Sequence, residues 1–198
     1  STRSGDSIVV IRDLGDRLSA VGDVDRDGHA DILVARTYFG DTPKDKCGAF
    51  LISGRTGQAM LHFRWKPNGE SSQEASLAGL GDTNGDGYPD FAIGRPRSQR
   101  VMSKFFTGDR TPASVCVISG RDGSVLQTLL GSLEDGASPY SAIGMSNALG
   151  CSITAIGDVD RDGLADFAVG EDCDPGGHKN VPDRVVIFRG QRAPSGTR

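Results

Sequence analysis

The hydrophobic residues of this chain fall in short runs that are separated by polar, glycine-rich segments. The runs ILVA at residues 32–35 and VCVI at residues 115–118 are typical, because they are short and rich in β-branched side chains. Runs of that length bounded by turn residues predict β-strands, since a helix needs a longer segment with a 3.6-residue period. They are also far shorter than the roughly 18 apolar residues of a membrane-spanning helix. The pattern therefore predicts an all-β protein without a membrane span.

One unit of this pattern occurs three times. The segments LSAVGDVDRDGHADILVA (residues 18–35), LAGLGDTNGDGYPDFAIG (residues 77–94) and ITAIGDVDRDGLADFAVG (residues 153–170) align without gaps. Their first aspartates, at positions 23, 82 and 158, are too far apart for a single hairpin and suit a four-stranded sheet with a variable loop. A second shared element follows each copy, and in the first two copies it has the form of a hairpin around GRTG and GRDG turns. Each repeat is therefore predicted to be one four-stranded blade of a β-propeller.

The repeat spacing predicts a single propeller segment over residues 1–198, with blades at residues 16–66, 76–131 and 149–192. The third copy ends after its third strand, whereas residues 7–14 resemble the outer strand of the second copy. We therefore expect residues 7–14 to be an orphan outer strand, and the third blade to be completed by a strand from a terminus or from another chain. Because propellers usually have four to eight blades, the chain is either part of a larger propeller or one copy of an oligomer that completes it.

The strongest chemical signal is the pattern D-x-[DN]-x-D-G-x-x-D, which lies between the first two predicted strands of each repeat. Ca²⁺ takes six to eight oxygen ligands, and carboxylates at positions 1, 3 and 5 of a tight loop can converge on one centre. We expect the backbone carbonyl at position 7 and the aspartate at position 9 to complete the cage. Position 12, which holds a glutamate in an EF-hand, belongs here to a predicted strand. The predicted ligands of about three Ca²⁺ ions, one for each loop, are Asp23, Asp25, Asp27, His29 and Asp31; Asp82, Asn84, Asp86, Tyr88 and Asp90; and Asp158, Asp160, Asp162, Leu164 and Asp166.

Composition and charge agree with these predictions. The 28 glycines and the few aromatic residues favour short strands joined by tight turns. The formal net charge is −4, which argues against nucleic-acid binding, and 11 of the 26 acidic residues lie in the three loops. Three bound Ca²⁺ ions would bring the formal charge to +2. The acidity of the chain is therefore attributed to its metal sites; polar turns, which aspartate and glycine also favour, are the alternative.

The remaining candidate groups suggest no catalysis. The four cysteines, Cys47, Cys116, Cys151 and Cys173, contain no CxxC pair, so they predict either two disulfides or buried thiols. There is no G-x-S-x-G motif and there are only three histidines, so no catalytic site is predicted. The basic segment of residues 95–110 is expected to be a solvated loop, with a grip on an acidic partner as the alternative.

The aspartate loops and their flanking strands resemble the FG-GAP repeats of integrin alpha-subunit propellers, and the resemblance extends over residues 7–190. The dipeptides that give these repeats their name are poorly kept, with Leu149-Gly150 near the Phe-Gly position. The resemblance implies a seven-bladed propeller in which calcium loops stiffen one face, while loops on the opposite face bind protein or glycan partners.

These observations predict a non-catalytic, calcium-stabilised propeller module for extracellular protein or glycan binding and adhesion. We expect an extracellular, periplasmic or cell-surface location, with an unidentified protein or glycan partner and a possible homo-oligomer. Two alternatives stay open, namely an accessory propeller domain of an extracellular hydrolase or lyase and a self-assembling structural protein.

Overall fold

The computed structural model describes residues 15, 17–36, 48–64, 75–95, 113–131, 148–172 and 183–192. These residues form eleven strands: β1 Arg17–Gly22, β2 Asp31–Arg36, β3 Gly48–Ile52, β4 Ala59–Arg64, β5 Ser76–Gly81, β6 Asp90–Arg95, β7 Ser114–Ile118, β8 Val125–Leu130, β9 Ala148–Gly157, β10 Asp166–Asp172 and β11 Arg184–Phe188. The strands form three antiparallel sheets, in the orders β1-β2-β3-β4, β5-β6-β7-β8 and β11-β10-β9. The predicted all-β fold, a propeller segment of three blades, is confirmed. Across the described ranges, no helix has the length and apolarity that a bilayer crossing demands.

A β-bulge precedes each aspartate loop. The pairing register of the first two strands shifts next to Gly22 in the first blade, next to Gly81 in the second and next to Gly157 in the third. All three glycines have positive φ angles, of 85°, 84° and 73° respectively. A positive φ is strained for residues with a Cβ, and a bulged residue bends the strand. The local sequence that the three repeats share therefore turns the chain out of the sheet at the same point in each blade.

The hydrophobic core lies between the blades. The two faces of β6 illustrate this arrangement, because Phe91 and Ile93 pack with Leu33 and Leu51 of the first blade, whereas Ala92 belongs to the core shared with the third blade. Alternate residues of a strand point to opposite faces, so an inner sheet with neighbours on both sides buries both sets. The second blade is therefore the inner one of the three.

The innermost strands of neighbouring blades lie in close contact. A Cβ added to Gly79 of β5 would collide with the backbone carbonyl oxygen of Ala20 in β1. The amide of Gly79 also donates to Oγ of Ser19, at 3.2 Å. Glycine at this position therefore sets the spacing between the first and second blades.

The outward face of the third blade has no such neighbour. The strand pairing places Val185 and Ile187 of β11 where the second blade has Val115 and Val117. Val115 and Val117 are 0% and 2% exposed between the blades, but Val185 and Ile187 are 73% and 59% exposed. The predicted orphan strand at residues 7–14 lies outside the described residues, so the completion of the third blade and the blade limits stay predictions.

Candidate metal centres in the aspartate loops

Each aspartate loop connects the first two strands of its blade. Loop 1 (residues 23–31) follows β1, loop 2 (residues 82–90) follows β5 and loop 3 (residues 158–166) follows β9. In each blade the last residue of the loop is also the first residue of the second strand, so the sheet itself anchors one end of the loop. The three loops therefore occupy equivalent positions in the three blades.

The first aspartate of each loop organises the turn. In loop 1, Oδ1 of Asp23 accepts a hydrogen bond from the amide of Asp27 at 3.0 Å, and Oδ2 accepts one from the amide of Gly28 at 2.9 Å. Asp82 and Asp158 make the same pair of bonds to the fifth and sixth residues of their loops. Gly28 has a φ of 88° and open space around it, so the backbone conformation explains the glycine. Three loops thus share one hydrogen-bonding scheme.

The third and fifth side chains are held in the same manner. Oδ1 of Asp25 accepts from the amide of Asp27 at 3.1 Å, and Oδ1 of Asp27 accepts from the amide of His29 at 2.9 Å. Asn84, Asp86 and the corresponding residues of loop 3 repeat these contacts. One oxygen of each side chain is therefore used in shaping the loop. Each aspartate has a second oxygen that a cation can take, whereas Asn84 has only the oxygen that accepts from Asp86, with its second lone pair left for a cation.

Two of the loops bring three acidic oxygens together. In loop 1 the group is Asp23, Asp25 and Asp27, and in loop 3 it is Asp158, Asp160 and Asp166; the oxygens of each group lie within 4.8 Å of one another. Loop 2 has an asparagine at its third position, and its amide oxygen is equally a hard ligand. These groups are close enough to hold a metal ion.

The aspartate at position 9 has a second role that the motif did not reveal. Asp31, Asp90 and Asp166 are all 0% exposed. One oxygen of each carboxylate accepts from the amide of the second residue of its own loop, and the other accepts from a glycine amide in the segment after the third strand. Those glycines are Gly54, Gly120 and Gly190, with N–O distances of 2.9, 3.1 and 3.0 Å. The position-9 carboxylate therefore joins the aspartate loop to the turn that follows the third strand of the same sheet.

The position-9 carboxylates of the second and third blades differ in their pKa. Burial raises the pKa of Asp90 above the ordinary 3.8, against the hydrogen bonds from Thr83 and Gly120, which lower it. Burial acts in the same direction on Asp166, but hydrogen bonds from three amides and the charge of Arg189 outweigh it and lower its pKa. The difference follows from position, since the second blade lies between two others whereas the third has one described neighbour.

The side chains at position 7 have three different surroundings, and the ligand expected from each of these residues is its backbone carbonyl. His29 is exposed, with its ring Nδ1 3.3 Å from Oδ1 of Asp27. Tyr88 lies beneath the guanidinium of Arg26, whose Cζ is 3.6 Å from the ring centroid. Leu164 is 3% exposed, and it approaches Gly85 of loop 2.

Loop 3 differs from the other two in that an arginine pairs with one of its aspartates. Nε of Arg189 lies 3.0 Å from Oδ2 of Asp160, so one predicted ligand of this loop already faces an exposed guanidinium. The first and second blades have Ser53 and Ser119 at the position of Arg189, and both serines are buried in the turn after the third strand. The sequence motif is the same in loops 1 and 3, but their surroundings are not.

The cysteines and the basic segment lie away from the aspartate loops or outside the described ranges. Cys116 and Cys151 are free thiols, half-buried and exposed respectively. Cys47 and Cys173 lie outside the described residues, as does the basic segment beyond Arg95. Two disulfides would need all four cysteines, so the free Cys116 and Cys151 contradict that alternative. A Cys47–Cys173 bridge and any role of the basic segment stay predictions.

Comparison with known proteins agrees with the resemblance noted in the sequence. The FG-GAP repeat family model matches residues 75–109, which include all of loop 2. Human integrin alpha-7 is 29% identical over 173 residues, covering 86% of this chain and 12% of that protein. Rat integrin alpha-7 is 30% identical over 173 residues (86% and 13%), and human integrin alpha-6 is 29% identical over 174 residues (86% and 13%). The chain thus spans only 12–13% of the length of these relatives, and its resemblance to integrin alpha FG-GAP repeats is confirmed.

Proposed function

We propose that this chain is a non-catalytic propeller module whose three aspartate loops bind Ca²⁺ and stiffen one end of the blades, so that the module can bind a protein or glycan partner. The observation that carries the proposal is the shared hydrogen-bonding scheme of the loops. It holds the side chains of positions 1, 3 and 5 in the same way in three places, and in loops 1 and 3 three carboxylate oxygens lie within 4.8 Å of one another. Side chains of like charge repel at such distances, and a bound dication reverses the sign of that interaction.

The donor set favours Ca²⁺ over other metals. The candidate ligands are carboxylate, amide and backbone carbonyl oxygens, which are the ligands of a hard cation. Mg²⁺ keeps several of its waters and seldom uses an all-protein cage, and zinc sites use cysteine and histidine. We therefore infer about three Ca²⁺ ions, one for each loop, held by the fifteen residues predicted from the motif.

The expected effect of Ca²⁺ is structural. Extracellular calcium modules typically have Kd values of about 10⁻⁴ to 10⁻³ M, and a site at tenfold excess over its Kd stabilises the fold by roughly 1.4 kcal/mol. Three sites of that kind would contribute on the order of 4 kcal/mol, a large part of the usual stability of a domain. Calcium would then decide whether a propeller segment of this size stays folded.

The test is thermal unfolding of the chelator-treated protein with and without Ca²⁺, compared with its Asp25→Ala and Asp160→Ala variants. We expect Ca²⁺ to raise the melting temperature of the parent, and to raise it less in each variant. Mg²⁺ at the same ionic strength serves as the control for screening by salt. If Ca²⁺ does not change the melting temperature of the parent protein, these loops are only turns.

The similarity to integrin alpha subunits supports an extracellular or cell-surface location and a role in adhesion. Because the matched region is a small part of those relatives, the blade limits at residues 16–66, 76–131 and 149–192 and the completion of the propeller are also part of the proposal. An accessory domain of an extracellular hydrolase or lyase, or a self-assembling homo-oligomer, is the alternative. The exposed Val185 and Ile187 favour assembly with a further blade, and sedimentation at several concentrations separates a monomer from an oligomer.

A further inference from the structure

Three arginines from three different blades surround loop 2. Arg26 comes from loop 1, and its Nη2 donates to the backbone carbonyl oxygen of Gly87 at 2.7 Å. Arg121, in the turn between β7 and β8, places its Cζ 5.9 Å from the ring centroid of Tyr88, the same ring that Arg26 covers. Arg192 follows β11, and its Nη1 lies 3.6 Å from the position of a Cβ added to Gly85. We call these three residues the arginine cluster.

The arginine cluster makes no ion pair among the described residues, although Asp122 interacts electrostatically with the neighbouring Arg121. Among the described residues, the ion pairs are made by other side chains, and none joins Arg26, Arg121 or Arg192 to a carboxylate. All three arginines are exposed. Guanidinium groups gathered around one loop repel one another, and an anion placed among them relieves that repulsion. The cluster therefore has the composition of an anion-binding surface.

Calcium would change the charge that this surface presents. In the metal-free chain, the carboxylates of Asp82, Asp86 and Asp90 lie in the loop that the arginines surround and oppose their field. A dication in loop 2 offsets those carboxylates, whereas the positive charge of the three guanidinium groups is unchanged. Loop 2 and its three arginines, counted together, would then change from a formal charge of 0 to +2, although the chain as a whole is acidic.

We propose that the arginine cluster binds a sulfated polysaccharide when loop 2 holds Ca²⁺. The planar guanidinium group donates two parallel hydrogen bonds to two oxygens of a sulfate or carboxylate group. The cluster extends across three blades, which suits a chain with many closely spaced anionic groups. This inference rests on the proposed calcium binding and adds a class of ligand to it. The polysaccharide would bind at the end of the blades that carries the aspartate loops, whereas the family resemblance implies partner binding at the opposite end.

An acidic protein segment fits the cluster less well. Protein interfaces rely on a buried apolar centre with aromatic anchors. The cluster presents guanidinium groups and glycine backbone, and Arg26 already covers the ring of Tyr88. An ionic surface without an apolar anchor matches a polysaccharide whose binding is mostly electrostatic.

The experiment measures binding of a size-defined heparin oligosaccharide by calorimetry, in about 5 mM CaCl₂, above the usual Kd range of extracellular calcium sites, and in excess EDTA. The proteins are the parent, the single variants Arg26→Gln, Arg121→Gln and Arg192→Gln, and the triple variant. We expect binding in calcium that weakens about threefold for each arginine removed and about thirtyfold in the triple variant. Binding should be lost in EDTA. By linkage, the oligosaccharide should tighten calcium binding by the same factor by which calcium tightens oligosaccharide binding.

Arg17 and Arg64 provide the matched control, because both are exposed arginines at the strand ends far from the loops. The double variant Arg17→Gln/Arg64→Gln should bind as the parent does. Equal losses in the control and the cluster variants, or unchanged binding in the triple variant, would overturn the proposal, as would tighter binding of poly-glutamate than of heparin. Thermal unfolding of the same samples keeps the two ideas apart. If calcium stabilises the protein but heparin does not bind, the role proposed for the arginine cluster is refuted and the proposed calcium sites are not.

Discussion

The buried position-9 aspartates allow the structural and the metal-binding roles of a loop to be separated by mutation. Asp90 of loop 2 is the best example, because its Oδ2 accepts from both the amide and the hydroxyl of Thr83, at 2.9 and 2.6 Å, and its Oδ1 accepts from the amide of Gly120. All three partners are donors. Asparagine has the same shape, but one of its two terminal groups is itself a donor. The Asp90→Asn variant therefore leaves at least one buried donor without an acceptor.

The size of the effect follows from that lost bond. A buried donor without a partner costs about 1–3 kcal/mol. The Thr83 hydroxyl can rotate, so the amide group of the asparagine should face Gly120, which loses its acceptor. Removing a carboxylate whose burial raises its pKa offsets part of the cost, which places the expected loss in the lower half of that range. For a chain of this length, such a loss corresponds to a decrease of about 2–8 °C in the melting temperature.

The assay is thermal unfolding of Asp90→Asn and Asp86→Asn, each in chelator and in Ca²⁺. Asp86→Asn is the matched control, since its Oδ1 accepts only from the amide of Tyr88 and an asparagine oxygen can do the same. In chelator, Asp90→Asn should be destabilised, and Asp86→Asn should stay within about 0.5 kcal/mol of the parent. In Ca²⁺, Asp86→Asn should lose part of the metal-dependent gain. Equal stability of the two variants in chelator would refute the structural role assigned to position 9.

Three further outcomes are expected. Gly79→Ala should lower the stability by about 3 kcal/mol, because its Cβ meets backbone of the first blade, whereas Gly28→Ala should cost about 1 kcal/mol for its positive φ alone; chemical denaturation distinguishes them. Ile187→Lys should reduce any concentration-dependent association in analytical ultracentrifugation, and an unchanged mass distribution would show that this face does not mediate it. In chelator, the stability that Asp90 contributes should be present below pH 3.8 and decline as the pH rises through its raised pKa. The contribution of Asp166 should run oppositely, being lost as the pH falls through its lowered pKa, and comparison of the two Asn variants across that pH range tests both signs.

The repeats made much of the fold predictable from sequence. Each aligned segment has a short apolar run before and after the same acidic loop. The same prediction of strand, loop and strand therefore follows independently from each of the three repeats. The pleat then decides which side chains face a neighbouring blade, as with Phe91 on one face of β6 and Ala92 on the other. Local pattern is sufficient for these features because they depend on residues that are near one another in the sequence.

Contacts between distant residues could not be predicted in this way. Asp31 and Gly54 are 23 positions apart, and Arg26 and Gly87 are 61 positions apart. The pairing of Arg189 with Asp160 likewise depends on a strand that returns beside loop 3. The motif identified the candidate ligands, but neither the anchoring of position 9 nor the gathering of three arginines has a local sequence signal.

A single residue difference accounts for one of the two backbone bonds by which the junctions between the blades differ. Between the second and third blades, the amides of Ala165 and Gln191 donate to the backbone carbonyls of Asp82 and Thr83, at 2.9 and 2.8 Å. Pro89 occupies in loop 2 the place that Ala165 has in loop 3, and proline has no amide hydrogen to donate to the first blade.

Side-chain contacts take the place of that backbone bond between the first and second blades. Pro89 packs against Gly22, and Arg26 reaches from loop 1 to the carbonyl of Gly87. Loop 2 therefore holds the third blade through its own backbone and the first blade through a single arginine and a proline ring. Both connections begin in loop 2, which the proposed Ca²⁺ would order. A local change in the charge or conformation of loop 2 would therefore alter its contacts with both neighbouring blades.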